Sequence, residues 1–233
     1  MTENIIFLIL LAAGASFIQR TIGFGFGIFI MTALPFLMPS YGEAVTLSGL
    51  LSLTSATVVM VKYLKFVTWK RLLPIVASFI IFSTIAICLL DKIEGQAMRR
   101  ILGITLILIS LYFSFFKARL QKLIRPTEGW QYGTGAASGI MGGLFAMHGP
   151  PVVLYLIVSE PDKDHYMGMI QTYFVITNAM MTLVRATNGF VTAAVGKSYL
   201  FCLAAVGIGA TLGGWVFNHI PGKVFPYVVY GYI

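Results

Sequence analysis

The 233-residue sequence predicts an all-α integral membrane protein, with about eight transmembrane helices in one transmembrane domain. Three observations predict it. Hydrophobic residues make up 58% of the chain and charged residues 10%, with a mean hydropathy of +0.88. A soluble domain carries about a quarter of its residues as charges to cover its surface. The apolar runs are continuous rather than alternating, which excludes a β-barrel. The basic residues gather in two short segments between runs, Lys62, Lys65, Lys70 and Arg71, then Lys117, Arg119, Lys122 and Arg125. That is the positive-inside pattern, so the net charge of +8 reports orientation in a bilayer and not a nucleic-acid partner. Eight crossings of about 20 residues leave only short loops, with no room for a soluble catalytic domain.

In chain order the runs fall at about 5–38, 45–61, 72–90, 101–116, 130–158, 167–187, 198–217 and 223–233. The N-terminal Met1-Thr2-Glu3-Asn4 lacks the basic region of a signal peptide, so the first run is expected to stay. That run is far longer than a hydrocarbon core requires and is interrupted at Gln19-Arg20-Thr21-Ile22-Gly23-Phe24-Gly25-Phe26-Gly27. The fifth run is interrupted in the same way, at Gly142-Gly143-Leu144-Phe145-Ala146-Met147-His148-Gly149-Pro150-Pro151. Glycine and proline at such density break helices, and broken helices at membrane depth line protein cavities. The eighth run is short for a crossing.

The two interruptions match each other. Ala15-Ser16 aligns with Ala137-Ser138, Ile18 with Ile140 and Gly27 with Gly149, each 122 residues apart, and Lys62 and Arg185 follow at an offset of 123. The expected plan is two tandem four-helix repeats, about 1–118 and 127–233, with helices 1 and 5 broken. Counting four crossings per half starts both repeats on the same side. With Lys62–Arg71 in the cytoplasm, both termini and Arg185–Lys197 are then also cytoplasmic, and Glu160, Asp162 and Asp164 are external.

The chemistry available at depth is cationic and neutral. None of the eight acids (Glu3, Glu43, Asp91, Glu94, Glu128, Glu160, Asp162, Asp164) lies in the middle of an apolar run. A cation carrier needs a counter-charge there, so the substrate expected is a small anion. Arg20, between Gln19 and Thr21 in the first break, offers planar bidentate donors to an oxyanion, or alternatively snorkels to an interface. His148, before Gly149 and Pro150 in the second break, could hydrogen-bond the anion, carry a coupling proton, or satisfy broken backbone. With Gly23, Gly25 and Gly27 these residues form the candidate substrate site.

Gln171 and Asn178 on the sixth run join that site, although hydrogen bonding between helices is the commoner role for such side chains. Arg185 reads as an interface anchor near a helix end. Gly135/Gly139/Gly143 and Gly209/Gly213 have the four-residue spacing of close helix packing. Cys88 and Cys202 sit inside apolar runs and read as small core residues. No cofactor or metal site is expected. The partners expected are the lipid bilayer and the anion, with a homodimer left open. No H-E-x-x-H motif or intramembrane aspartate pair occurs, so an enzyme is not expected. A carrier and an anion channel both fit, and paired broken helices in a duplicated bundle favour the carrier.

Gln19-x-x-Ile22-Gly23-Phe24-Gly25-Phe26-Gly27 followed by Pro35 resembles the first signature of the TauE/SafE sulfite-exporter family, also called the 4-toluene sulfonate uptake permeases. Ser138-Gly139-Ile140-Met141-Gly142-Gly143-Leu144-Phe145, then Gly149-Pro150-Pro151-Val152-Val153-Leu154-Tyr155, resembles the second. The resemblance covers most of the chain. It implies secondary transport of sulfite, sulfonates or sulfoacetate across a bacterial inner membrane. It also implies that Gln19, Gly23, Gly25, Gly27, Gly149, Pro150 and Pro151 form the family's two breaks. Ala146-Met147-His148 departs from the pattern, standing where many relatives carry small residues and glycine.

Overall fold

The computed structural model describes residues 2–90, 96–107, 123–160 and 162–232, and over these the protein is helical with no strand. In order come α1 (Thr2–Ile22), the short α2 (Phe26–Ile30) and α3 (Leu34–Leu37), α4 (Tyr41–Tyr63), a single 3-10 turn and α5 (Trp69–Leu90). Then follow α6 (residues 96–107), α7 (Glu128–Phe145), α8 (Gly149–Ser159), α9 (Lys163–Thr187), α10 (Ala193–His219) and α11 (Phe225–Tyr232). Among the described helices five are long and apolar enough to cross a bilayer: Ile5–Ile22, Tyr41–Phe66, Trp69–Leu89, Lys163–Thr187 and Ala193–His219. Their outward faces carry Leu10, Val61, Ile81, Leu200, Ile208 and Trp215, all exposed, as a lipid-facing surface requires. Most of the fourth apolar run, together with Asp91, Glu94, Lys117, Arg119, Lys122 and the end of the first repeat, lies outside the described residues.

Both overlong runs turn out to be hairpins, not single broken helices. α1 is already long enough to span at about 1.5 Å per residue. The chain then turns at Gly23–Gly25 and comes back through α2 and α3, so that Ile30, Leu34 and Met38 share one apolar cluster with Leu8, Leu11 and Ala12 near the start of α1. In the second half α7 turns at Ala146–His148 and α8 returns beside it, Tyr155 accepting a hydrogen bond from Gln131 at 3.0 Å. A count of apolar runs therefore misses one returning arm in each half.

Those arms reverse the relation between the halves. α1 and α4 run the same way, since Ser16 meets Ser55 at 3.0 Å and Arg20 lies over Tyr63. α4 and α9 run oppositely, with contacts from Val45 to Arg185, Ser52 to Asn178 and Tyr63 to Gly168. α5 runs parallel to α7, through Ile75 with Gly135 and Ser83 with Gly143, and α1 runs parallel to α10. Corresponding helices α4 and α9 are thus antiparallel, which corrects the expectation that both halves begin on the same side. The start of α1 lies at the face opposite Lys62–Arg71, not beside it. Glu160, expected on the far side from Arg71, instead pairs with it at 2.8 Å. The segment 187–193, expected with Lys62, faces Glu43 through Thr192.

Glycine stripes hold the parallel pairs together. A Cβ on Gly135, Gly139 or Gly143 would strike the α5 backbone at Ile75, Phe79 or Ser83, and one on Gly209 or Gly213 would strike α1 at Ala13 or Phe17. Helix ends are capped locally. Ser40 and Glu43 form a capping box on α4. Asp162 caps α9, and its bonds from the His165 and Asp164 amides hold its carboxyl below the usual aspartate range.

Gly207 and Gly209 separate packing from propensity on one helix. Gly209→Ala is expected to destabilise the protein by about 1–3 kcal/mol through overpacking against Ala13. Gly207, with open space around it, should tolerate alanine or gain up to about 1 kcal/mol of helix propensity. Thermal denaturation of the two variants in one detergent checks this.

Candidate functional site

Two turns of backbone at membrane depth must find donors and acceptors inside the protein. In the first, Gly23 and Gly25 adopt left-handed φ values of 93° and 95°, where a side chain would be strained. Three carbonyls at this turn accept from neutral side chains. Tyr166 donates to Ile22 O at 3.2 Å, Gln171 to Gly23 O at 2.9 Å and Tyr232 to Gly25 O at 3.3 Å. In the second turn Ala146 takes a left-handed φ of 57°. Arg185 donates to Gly142 O at 2.9 Å and Gly143 O at 3.3 Å, and Tyr41 donates to Leu144 O at 3.0 Å.

The turns meet each other. A Cβ on Gly27 would run into the Ala146 carbonyl, and one on Gly149 would touch Phe24 at 3.3 Å. At this meeting a small cavity is lined by Gln19, Gly25, Phe26, Gly27 and Ile28 from the first hairpin, and by Ala146, Met147, His148, Gly149 and Pro150 from the second. Ser52, halfway along α4, and Phe174, halfway along α9, close it. The cavity has room for about one water molecule. It lies at the boundary of the two apolar clusters, Phe26, Ala146 and Met147 belonging to one and Phe174 to the other.

Its polar side chains are few, and none of them is a carboxylate. Gln19 reaches Gln171 at 3.5 Å, and its Oε1 has no partner among the described residues. His148 is 3% exposed and both its ring nitrogens lack partners there. Its ring lies among those of Phe79, Tyr173 and Phe174, with centroids 5.4, 5.6 and 4.8 Å away. α8 starts here, and because Pro150 and Pro151 carry no N–H, Gly149 supplies the one free amide among its first three residues. No described carboxylate lines the cavity.

Of the residues singled out from sequence, Gln19, Gly25, Gly27, His148, Gly149 and Pro150 therefore line one space. Gly23 and Gln171 lie one step behind, shaping the turn and holding its carbonyl. Asn178 donates to the lining Ser52 at 3.3 Å. Arg20 and Thr21 face elsewhere. The Arg20 guanidinium stacks over Tyr63 and Phe217 at 5.5 and 5.0 Å from the ring centres. Thr21 bonds Phe17 O and Gly213 O at the α1–α10 contact. Sequence reading passed over Ser52, although Ser48, Ser52 and Ser55 form a buried hydroxyl stripe at helical spacing. It also placed Arg185 at an interface, whereas the side chain is fully buried against both α4 and α7.

Antiparallel bundles with paired broken hairpins around a central cavity define a class, the helical membrane transporters. Within it, the chain belongs to the sulfite exporter TauE/SafE family, whose model matches residues 7–233. It is 23% identical over 208 residues to the probable sulfite/organosulfonate exporter TauE of Cupriavidus necator, a match covering 88% of this chain and 80% of that protein. No solved structure shows significant similarity.

The Gly27–Ala146 approach is the sharpest steric constraint on the site, because both parties are backbone. Gly27→Ala is expected to part the two turns, lower stability by about 1–3 kcal/mol and abolish flux in reconstituted vesicles. Gly103→Ala, at a glycine with open space, should leave both unchanged.

Proposed function

We propose that the protein is a secondary carrier of small sulfur oxyanions, sulfite or an organosulfonate, which binds between the two helix turns and is passed across the membrane by alternating access. The observation that carries this reading is the character of the cavity. Hydrogen-bonding groups line it (Gln19, His148, Ser52 and the Gly149 amide), while no described carboxylate does. The Gly149 amide at the start of an eleven-residue helix favours an anion through its free N–H and the helix dipole. Membership of an exporter family and the name of the Cupriavidus relative supply the substrate class.

Alternating access is supported by the two hairpins, which run in opposite senses around one site. Each face of the bundle has a contact between the matched halves. Arg71 on α5 pairs with Glu160 after α8 on one face, and Glu43 on α4 takes the Thr192 hydroxyl on the other. Opening one contact while the other stays shut would expose the site to one side at a time. The positive-inside rule puts the Lys62–Arg71 face in the cytoplasm and hence the start of α1 outside.

Counterflow in proteoliposomes tests the carrier against an anion channel. A carrier preloaded with unlabelled sulfite accumulates labelled sulfite transiently, whereas a pore only equilibrates it. Saturable counterflow that methanesulfonate inhibits is the expected result. Gln19→Leu, removing a lining amide, should raise the half-saturating sulfite concentration about tenfold, the loss of about one hydrogen bond to a charged group.

A further inference from the structure

Arg185 is 0% exposed and has no ion-pair partner among the described residues. Glu43, two residues from Val45 in the chain, accepts from Ser40 and Thr192 and forms no ion pair with Arg185. Nη1 of Arg185 donates to Val45 O at 3.0 Å, Nη2 bonds the two α7 carbonyls, and Nε is without a partner among the described residues. A buried charge without a counter-charge is costly, so it calls for a reason.

Capping alone does not provide one. The first turn has the same need, and Tyr166, Gln171 and Tyr232 meet it without any charge. What distinguishes Arg185 is its position. Gly142, whose carbonyl it binds, packs its α-carbon against the His148 side chain that lines the cavity. On its other side Gly49 lies against both Nη1 and Asn178, which donates to the lining Ser52. The guanidinium is therefore one residue removed from the site along the first route and two along the second, in a low-dielectric interior where its field is weakly screened. Arg20, by contrast, is held over two aromatic faces and lines no part of the cavity.

We infer that Arg185 is the fixed positive charge that selects anions at the cavity, a positioning residue acting through the second turn and not by contact. This rests on the carrier reading above. A charge role and a capping role differ in one readout, the preference for a doubly over a singly charged anion. A point charge stabilises a dianion more than a monoanion, whereas a cap does not discriminate between them.

The experiment measures thermal stabilisation of the full chain in detergent, and flux in vesicles, against concentration. The probes are sulfite at pH 8.5, where it is a dianion, and methanesulfonate, a monoanion. Arg185→Gln is expected to weaken the sulfite response about tenfold or more and the methanesulfonate response less, so that the preference ratio falls, while Arg185→Lys keeps the ratio. An unchanged ratio in Arg185→Gln, or lysine behaving as glutamine does, overturns the inference. If Arg185→Gln does not fold, Gly49→Asp and Gly49→Asn decide. The first sets a carboxylate beside Nη1 and should lower the ratio, the second should not, and equal behaviour overturns the assignment. A wild-type protein with no saturable response to either anion removes the carrier reading itself, and the inference with it.

Discussion

The architecture depends on one constraint: backbone released from a helix inside a bilayer has no water to bond. Each turn here releases carbonyls, and each is met by side chains from distant helices. Tyr166, Gln171 and Tyr232 serve the first, and Arg185 and Tyr41 serve the second. An unsatisfied group at that depth costs several kcal/mol, about as much as a sizeable core substitution. The turns thus hold α9, α11 and α4 in place as much as those helices hold the turns.

Glycine has two separate uses in this fold. Along α7 and α10 it lets backbone meet backbone, drawing α5 to α7 and α1 to α10. In the turns it serves conformation at Gly23 and Gly25, and close approach at Gly27. The first use fixes the frame and the second shapes the cavity within it. The aromatic rings around His148 complete the wall, leaving few polar groups there.

Much of the site was legible in the sequence because broken helices announce themselves. Gly and Pro interrupting a long apolar run are rare enough, and matched closely enough between the halves, that Gln19, Gly25, Gly27, His148, Gly149 and Pro150 could be named from spacing. Arg20 misled because adjacency along a helix says little about direction. Successive residues are about 100° apart, so Gln19 faces the cavity while Arg20 faces Tyr63. Arg185 was discounted for its place near a helix end. That helix end is itself buried, because Val45, Gly142 and Gly143 pack over it.

By itself the sequence determined the helical membrane class, the two interruptions, the glycine stripes and the absence of any acid from the middle of an apolar run. All of these are properties of composition and local spacing. Only the tertiary structure decided that each interruption is a hairpin, that matched helices run in opposite directions, and which arginine stands behind the cavity. Direction depends on the parity of crossings, and a returning arm inside one apolar run changes that parity without changing hydropathy. The facing of a side chain, likewise, follows from which helix packs against it, and that is a property of the assembled bundle.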